Sequence, residues 1–213
     1  MNWILIFSCA FAYLVGSVPF GYWIGLARGK DLLKEGSGNI GATNVFRVLG
    51  WKWGVVVFLL DISKSLVPGL IAREFVEGPP GASERALLVG MSAVVGHTFS
   101  PFLKFRGGKG VATALGAVFS STPISAAVAL VIWVLLVGLT RYVSLASILA
   151  TISSAIVTGF MREPILITVT YGVLAVFILL KHVPNIRRLL KGEESRICLR
   201  KQPDSLPERP NKK

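Results

Sequence analysis

The chain has 213 residues, of which 53% are hydrophobic and only 16% charged, and its formal net charge is +12. Apolar stretches recur from residue 1 to residue 180 and the mean hydropathy is +0.64, which excludes disorder and leaves no polar face for a soluble core of this size. Two cysteines, Cys9 in an apolar run and Cys198 in a basic tail, can build neither a disulfide framework nor a zinc site.

The composition predicts a polytopic membrane protein. A hydrocarbon core of about 30 Å takes about 20 apolar residues as a helix. Residues 1–27 carry no charge and lack the basic start and small-residue cleavage site of a signal peptide, so they are expected to form a retained first span. Residues 53–72 predict a second span holding Asp61 and Lys64, which share one helix face at i, i+3 and partly neutralise each other. Residues 86–102 predict a third, with His97 near its end. Residues 111–140 are uncharged throughout and would reach about 45 Å as one helix, too long for an ordinary span. The turn signal Ser120-Ser121-Thr122-Pro123 divides them into a short helix over 111–121 and another over 124–140. Residues 143–161 and 165–180 complete seven helices.

Charge distribution tests that division. With the N-terminus outside, 19 of the 23 Lys and Arg residues fall on the inner side, ten of them from Lys181 onward. Only Arg73, Arg85 and Arg162 fall outside, and Lys64 lies within a span. A single helix over 111–140 would send the basic tail outside, against the positive-inside rule. The expectation is an all-α integral membrane protein of seven transmembrane helices, N-terminus outside and C-terminus cytoplasmic. Residues 1–194 form its domain, and 195–213 form a basic, disordered tail that touches anionic lipid.

Three inner segments are richer than connectors need to be. The first is Gly36-Ser37-Gly38-Asn39-Ile40-Gly41-Ala42-Thr43-Asn44, followed by Arg47. Its glycines let backbone approach a ligand, and successive N–H groups in such a loop form an anion-binding concavity. A flexible interhelical loop is the competing explanation. The spacing is not a Walker A loop, and no strand precedes it as a Rossmann fingerprint would require. The second segment runs from Gly96-His97 to Lys104-Phe105-Arg106-Gly107-Gly108-Lys109-Gly110-Val111-Ala112-Thr113. Here Lys109 lies among glycines where an apolar helix begins, and a helix N-terminus favours anions. The positive-inside rule explains the charges but not the paired glycines, so phosphate binding is the favoured reading. The third segment, His182-Val183-Pro184-Asn185-Ile186-Arg187-Arg188, decides nothing alone, since such residues also meet lipid headgroups. Ser144 and Ser147 are equally consistent with helix packing.

The inner face thus collects cations, two histidines, hydroxyls and glycine-rich loops. It shows no carboxylate pair for a glycosidase and no Cys/His metal spacing. The His-x4-Asp pattern of many acyltransferases is absent, since Pro101 and Phe102 stand four and five residues after His97. These residues predict a membrane protein that handles a phosphate-bearing, acyl-linked molecule at its inner face.

The same three segments, together with Arg141-Tyr142-Val143-Ser144-Leu145-Ala146-Ser147, resemble the bacterial acyl-phosphate-dependent glycerol-3-phosphate acyltransferases. The resemblance covers residues 1–194, and three separated motifs in order are far more specific than one glycine loop. It implies a multi-pass enzyme of the inner membrane with its active site at the cytoplasmic face. Such an enzyme moves a fatty acyl group from acyl phosphate to the sn-1 hydroxyl of sn-glycerol 3-phosphate, releasing lysophosphatidic acid and inorganic phosphate. By the same resemblance, Ser37, Gly38, Asn39, Thr43, Asn44, His97 and Gly108 bind acyl phosphate. Arg47, Lys109, Ser147, Asn185 and Arg188 bind glycerol 3-phosphate, and His182, Lys109 and Ser37 are catalytic. No metal, cofactor, acyl carrier or nucleic acid is implied, and a monomer is expected.

The chemistry suits these residues. Acyl phosphate is a mixed anhydride with a good leaving group, so the demanding task is to bring two anions together and stabilise the carbonyl oxygen. The base is His182, His97 or the substrate's own phosphate. Substrate assistance is favoured because no carboxylate is placed to orient either histidine, and His182→Ala is then expected to retain turnover. Val183 and Pro184 depart from the family pattern, in which charged residues follow this histidine, and Pro184 is expected to break the helix there. A transporter or flippase for a phosphorylated solute is the alternative. It would place binding residues near the midplane, where only Asp61 and Lys64 lie; these read better as a structural pair facing neighbouring helices.

Overall fold

The computed structural model of the chain describes residues 2–197. Cys198 and the rest of the expected tail lie outside the described residues. The architecture is helical: α1 (Trp3–Ser17), α2 (Phe20–Ala27), α3 (Ala42–Leu49), α4 (Trp51–Phe75), α5 (Ala82–Thr98), α6 (Val111–Ser121), α7 (Pro123–Thr140), α8 (Val143–Phe160), α9 (Ile165–Lys181) and α10 (Val183–Leu190), with one 3₁₀ turn at Pro101–Leu103.

Helix ends follow local chemistry. Asn2 caps α1 by accepting from the N–H of Leu5 at 3.2 Å, and Pro19 interrupts the first apolar stretch between α1 and α2. Glu84 accepts the N–H of Gly81 at 2.6 Å where α5 begins. The expected break after His182 is present, with α9 and α10 meeting at 59°. Two short helices, α3 and α10, stand in segments read from sequence as glycine loop and basic connector.

Five stretches are long and apolar enough to cross a membrane: Trp3–Ala27, Trp51–Phe75, Ala82–Leu103, Pro123–Thr140 and Val143–Phe160. Helix α9, bent into α10, makes a sixth. Helix α6 has 11 residues, which at 1.5 Å each is about half a hydrocarbon thickness. Large apolar side chains face outward along the bundle, including Leu139 and Phe160, each more than four-fifths exposed. A surface of that kind belongs in lipid.

Close contacts between small residues hold the bundle together, as expected where burial from lipid drives little. Gly16 of α1 lies against the backbone of Ala93 in α5. A Cβ on Gly90 of α5 would come within 2.8 Å of Ala117 Cβ in α6. The largest apolar cluster joins Leu87 and Val94 of α5, Ala114 and Ala117 of α6, and Ile167, Leu174 and Ile178 of α9.

Contacts sort the connections into two ends. At one, Asn2 donates to Glu77 O at 2.7 Å, Arg73 donates to Ser120 O at 3.1 Å, and Ser125 lies 3.8 Å from the Met161 sulfur. The other gathers residues 36–47, the starts of α6, α8 and α10, and residues 194–197 around one cavity. Because α6 leaves that end and α7 returns to it, residues 111–140 fold as two antiparallel pieces, as their length predicts.

Candidate active site

The cavity at this end encloses about 430 Å³, within the usual range for a ligand site. Four helices begin at its wall: α3 at Ala42 and Thr43, α6 at Val111 and Ala112, α8 at Val143 and Ser144, and α10 at His182 and Asn185. None of the four has a side-chain cap. The unpaired first-turn N–H groups of α3, α6 and α8, and the positive ends of all four dipoles, therefore face one volume, while Pro184 leaves α10 with fewer N–H groups to offer. Arg47 and Lys109 add formal charge to the same wall.

The first glycine-rich segment is folded by Asn44, which is 1% exposed. Its Oδ1 accepts the N–H of Ser37 at 2.7 Å, and its Nδ2 donates to Leu32 O at 3.2 Å and Glu35 O at 3.0 Å. Asn44, read from sequence as a ligand for acyl phosphate, thus spends both amide protons on the loop. Asn39 Oδ1 accepts the N–H of Gly41 at 2.8 Å and turns the chain into α3. Gly36 and Gly38 take φ of +62° and +68°, a conformation that favours glycine. Ser37, Asn39, Thr43, Asn44 and Arg47 line the cavity, and Gly38 does not.

The paired glycines of the second segment have a packing explanation. The N–H groups of Gly107 and Gly108 donate to Thr98 O and His97 O at 3.0 and 3.1 Å, and a Cβ on Gly108 would strike the His97 imidazole. The N–H of Gly108, a residue expected to bind acyl phosphate, is spent on His97 O. Lys109 projects into the cavity and donates to Asn185 Oδ1 at 2.5 Å. Burial lowers its pKa to about 8; Glu194 opposes the shift, while the charges of Arg188 and Arg47 add to it.

His97 does not stand alone: Lys64, itself paired with Asp61, reaches its imidazole. Lys64 Nζ lies 2.6 Å from His97 Nδ1 and 2.9 Å from Asp61 Oδ1, and also donates to Val18 O at 3.3 Å. Asp61 Oδ1 is 3.6 Å from the same imidazole nitrogen. The buried Asp61–Lys64 pair thus belongs to the site, with both Asp61 and His97 lining the cavity. An ammonium donates only, so Nδ1 accepts and Nε2 carries the proton. His182 has the opposite arrangement. Its Nδ1 lies 2.8 Å from Ile178 O, which only accepts, so in the neutral ring Nε2 holds the lone pair.

Asn185 and Arg188, whose facing the Val183-Pro184 departure put in question, meet on a residue that sequence reasoning passed over. Glu194 Oε1 accepts from Ser144 Oγ at 2.8 Å and Asn185 Nδ2 at 2.7 Å, and Oε2 pairs with Arg188 Nε at 2.7 Å. Arg188 does not line the cavity itself. Ser147 does, but its hydroxyl donates to Val143 O at 2.8 Å and accepts from Trp133 Nε1 at 3.2 Å. Residues 195–197, which the expectation assigns to the tail, have partners in the fold. Ser195 O accepts from Arg47 at 3.2 Å and the N–H of Ile197 donates to Arg141 O at 2.9 Å, so 195–197 pack on the site. The available signal was Gly192, whose φ of +71° ends α10 and turns the chain back over Arg188.

A narrow apolar crevice of about 50 Å³ continues from the cavity between α6, α7 and α8. The two share Phe58, Val111, Ala112, Trp133 and Ser147, and the crevice runs on past Leu115, Val118 and Leu130. The arrangement is a cationic chamber that opens into an apolar slot.

Known proteins share this sequence and fold. The family described as glycerol-3-phosphate acyltransferase matches residues 6–192. A glycerol-3-phosphate acyltransferase of Geobacter sulfurreducens is 45% identical over 188 residues, covering 88% of this chain and 94% of the relative. One from Aquifex aeolicus is 44% identical over 195 residues, covering 90% of this chain and 98% of the relative. The crystal structure of PlsY, an integral membrane glycerol 3-phosphate acyltransferase, in its glycerol 3-phosphate form matches with a TM-score of 0.85 at 42% identity, covering 91% of this chain and 96% of that one. Its lysophosphatidic acid form matches with a TM-score of 0.82. With the family matched over most of its length and relatives this similar, the chain belongs to the glycerol-3-phosphate acyltransferases, integral membrane enzymes of phospholipid synthesis.

Proposed function

We propose that the chain transfers a fatty acyl group from acyl phosphate to the sn-1 hydroxyl of sn-glycerol 3-phosphate, at the cytoplasmic face of the inner membrane. The observation that carries this reading is the convergence of four uncapped helix N-termini with Arg47 and Lys109 on a chamber that continues as an apolar slot. Two phosphate-bearing substrates need the first feature, and an acyl chain needs the second. The glycerol 3-phosphate and lysophosphatidic acid forms of PlsY support an acceptor and a product of those classes.

In this account Ser37, Asn39 and Thr43, with the first-turn N–H groups of α3 and α6, hold acyl phosphate, and Asn44 keeps their loop in shape. His97 Nε2–H donates to an anionic or carbonyl oxygen. Arg47, Lys109, Asn185 and Arg188 hold glycerol 3-phosphate with its primary hydroxyl near His182 Nε2, and Ser147 lines that part of the chamber. The hydroxyl oxygen bonds to the acyl carbon, the bond from that carbon to the phosphate oxygen breaks, and the hydroxyl proton leaves with inorganic phosphate. Fixed N–H dipoles and cations stabilise the charge on the carbonyl oxygen.

Membrane placement follows from charge. The end that holds the chamber also carries Arg28, Lys30, Lys34 and Lys104, which supports a cytoplasmic site, an outer N-terminus and seven passes with α6 as a short one. A monomer completes the chamber from one chain. The test is a comparison of donors: purified protein is given labelled glycerol 3-phosphate with palmitoyl phosphate, palmitoyl-CoA or palmitoyl carrier protein. Labelled lysophosphatidic acid is expected with palmitoyl phosphate alone. Equal or faster product formation from either thioester would overturn the donor assignment.

A further inference from the structure

We propose that Asp61 and Lys64 are positioning residues for acyl transfer: they act through His97, holding its imidazole in the tautomer whose Nε2–H is offered to an oxygen of the acyl phosphate. The inference rests on the reading above, in which His97 donates to that substrate.

A charge pair buried in a membrane helix is costly unless both charges are satisfied. Asp61, Lys64 and His97 are 3%, 3% and 4% exposed. An ammonium has three protons, and Lys64 finds three acceptors for them. They are His97 Nδ1 at 2.6 Å, Asp61 Oδ1 at 2.9 Å, and Val18 O, at the break between α1 and α2, at 3.3 Å. Lys64 therefore keeps no proton for a substrate, and it does not line the cavity. Two of its contacts lock α4 to its neighbours. The third falls on a ring that does line the cavity, and it gives the pair a chemical consequence.

That consequence is the place of one proton. Neutral imidazole has one donor and one acceptor nitrogen. Lys64 occupies the acceptor, so the proton sits on Nε2. Gly108 lies over that edge of the ring: a Cβ there would strike Nε2. With glycine in place the edge is left uncovered beside Lys109 and Gly110, which line the same wall. A neutral N–H fixed there stabilises a negative oxygen without adding a formal charge. If Lys64 is removed, the group that remains beside Nδ1 is Asp61 Oδ1 at 3.6 Å, a carboxylate that only accepts. It draws a proton onto Nδ1, and the neutral ring then turns a lone pair toward the substrate.

The test reads the tautomer directly. The chain has two histidines, so full-length protein labelled with ¹⁵N-histidine gives two imidazole patterns by NMR in detergent, assigned by the loss of one in His182→Gln. His97 is expected to carry its proton on Nε2 and His182 on Nδ1, against Ile178 O. In Lys64→Met, His97 Nδ1 is expected to gain a proton. A proton on His97 Nδ1 in the wild type, or an unchanged pattern in Lys64→Met, would overturn the proposal. The second arm separates positioning from packing. Asp61→Leu with Lys64→Met replaces the pair by apolar side chains, an exchange that commonly leaves stability equal or higher. The unfolding temperature and the calorimetric Kd for glycerol 3-phosphate are expected to stay at wild-type values, while kcat/KM for the acyl donor falls about 10- to 100-fold, the scale of a misplaced catalytic group. In a His97→Gln background the same exchange should cost less than about threefold, because residues that act as a unit are not additive. Activity retained in the apolar pair, or a full further loss in the His97→Gln background, would reduce Asp61 and Lys64 to a structural pair. The tautomers are read without substrate, and the kinetics use whichever acyl donor the wild type accepts. Failure with acyl phosphate therefore defeats the donor assignment alone.

Discussion

The residues proposed to act divide by whether their chemistry is visible without their neighbours. Arg47, Lys109, Asn185 and His182 sit in unusual local sequences, and all four reach the cavity. Glu194 is invisible in this sense, because its meaning comes from a turn at Gly192 that folds it onto Ser144 and Asn185. Asp61 and Lys64 read as a helix pair, and only the packing of α4 on α5 brings His97 to them. Lys109 gives a direct prediction at this scale. Its pKa in the free protein is lowered to about 8, so it is cationic below that pH and loses its charge above it. The profile of kcat/KM for glycerol 3-phosphate, which reports the free enzyme, is therefore expected to fall on the alkaline side with a midpoint near 8. Lys109→Arg should move that limb upward, since a guanidinium stays charged; an unchanged alkaline limb in Lys109→Arg would remove Lys109 as its source.

At the scale of elements, hydropathy located the long apolar stretches to within a few residues, because apolar length is what a bilayer demands, but not the break at Pro19 that divides the first into α1 and α2. The division of residues 111–140 was legible from length and Pro123. Helices α3 and α10 were not, since each has eight residues and lies in a polar stretch that carries no span signal. The glycines were legible as special but not as to why: those at 107 and 108 serve close packing on His97 at least as much as phosphate. Packing of this kind predicts the cost of filling it. Gly90→Val forces a side chain into Ala117 across the α5–α6 contact. Overpacking of this sort costs about 1–3 kcal/mol, which lowers the unfolding temperature by about 2–12 °C for a chain of this size. Gly138→Val, at a position with nothing within 4 Å, should change it far less. Equal shifts in the two variants would show that the α5–α6 contact is not tight.

At the scale of the molecule, three segments far apart in sequence close one chamber. Order and spacing predict that they share a side of the membrane, and the packed helices bring them within hydrogen-bonding distance, as between Lys109 and Asn185 at 2.5 Å. The division of labour is also molecular. Small-residue contacts among α1, α4, α5 and α6 make a closely packed half, and α7 and α8 form with α6 an apolar slot beside the chamber. The arrangement suits a reaction that joins a water-soluble anion to a lipid chain. Phosphate release by purified protein given palmitoyl phosphate, with and without glycerol 3-phosphate and alongside Lys109→Ala, tests that account most directly. The account predicts release that depends on the acceptor and falls about 100-fold or more in the variant, the scale of losing one preorganised charge-stabilising group. Acceptor-independent release, or none from folded protein in lipid as well as detergent, would contradict it.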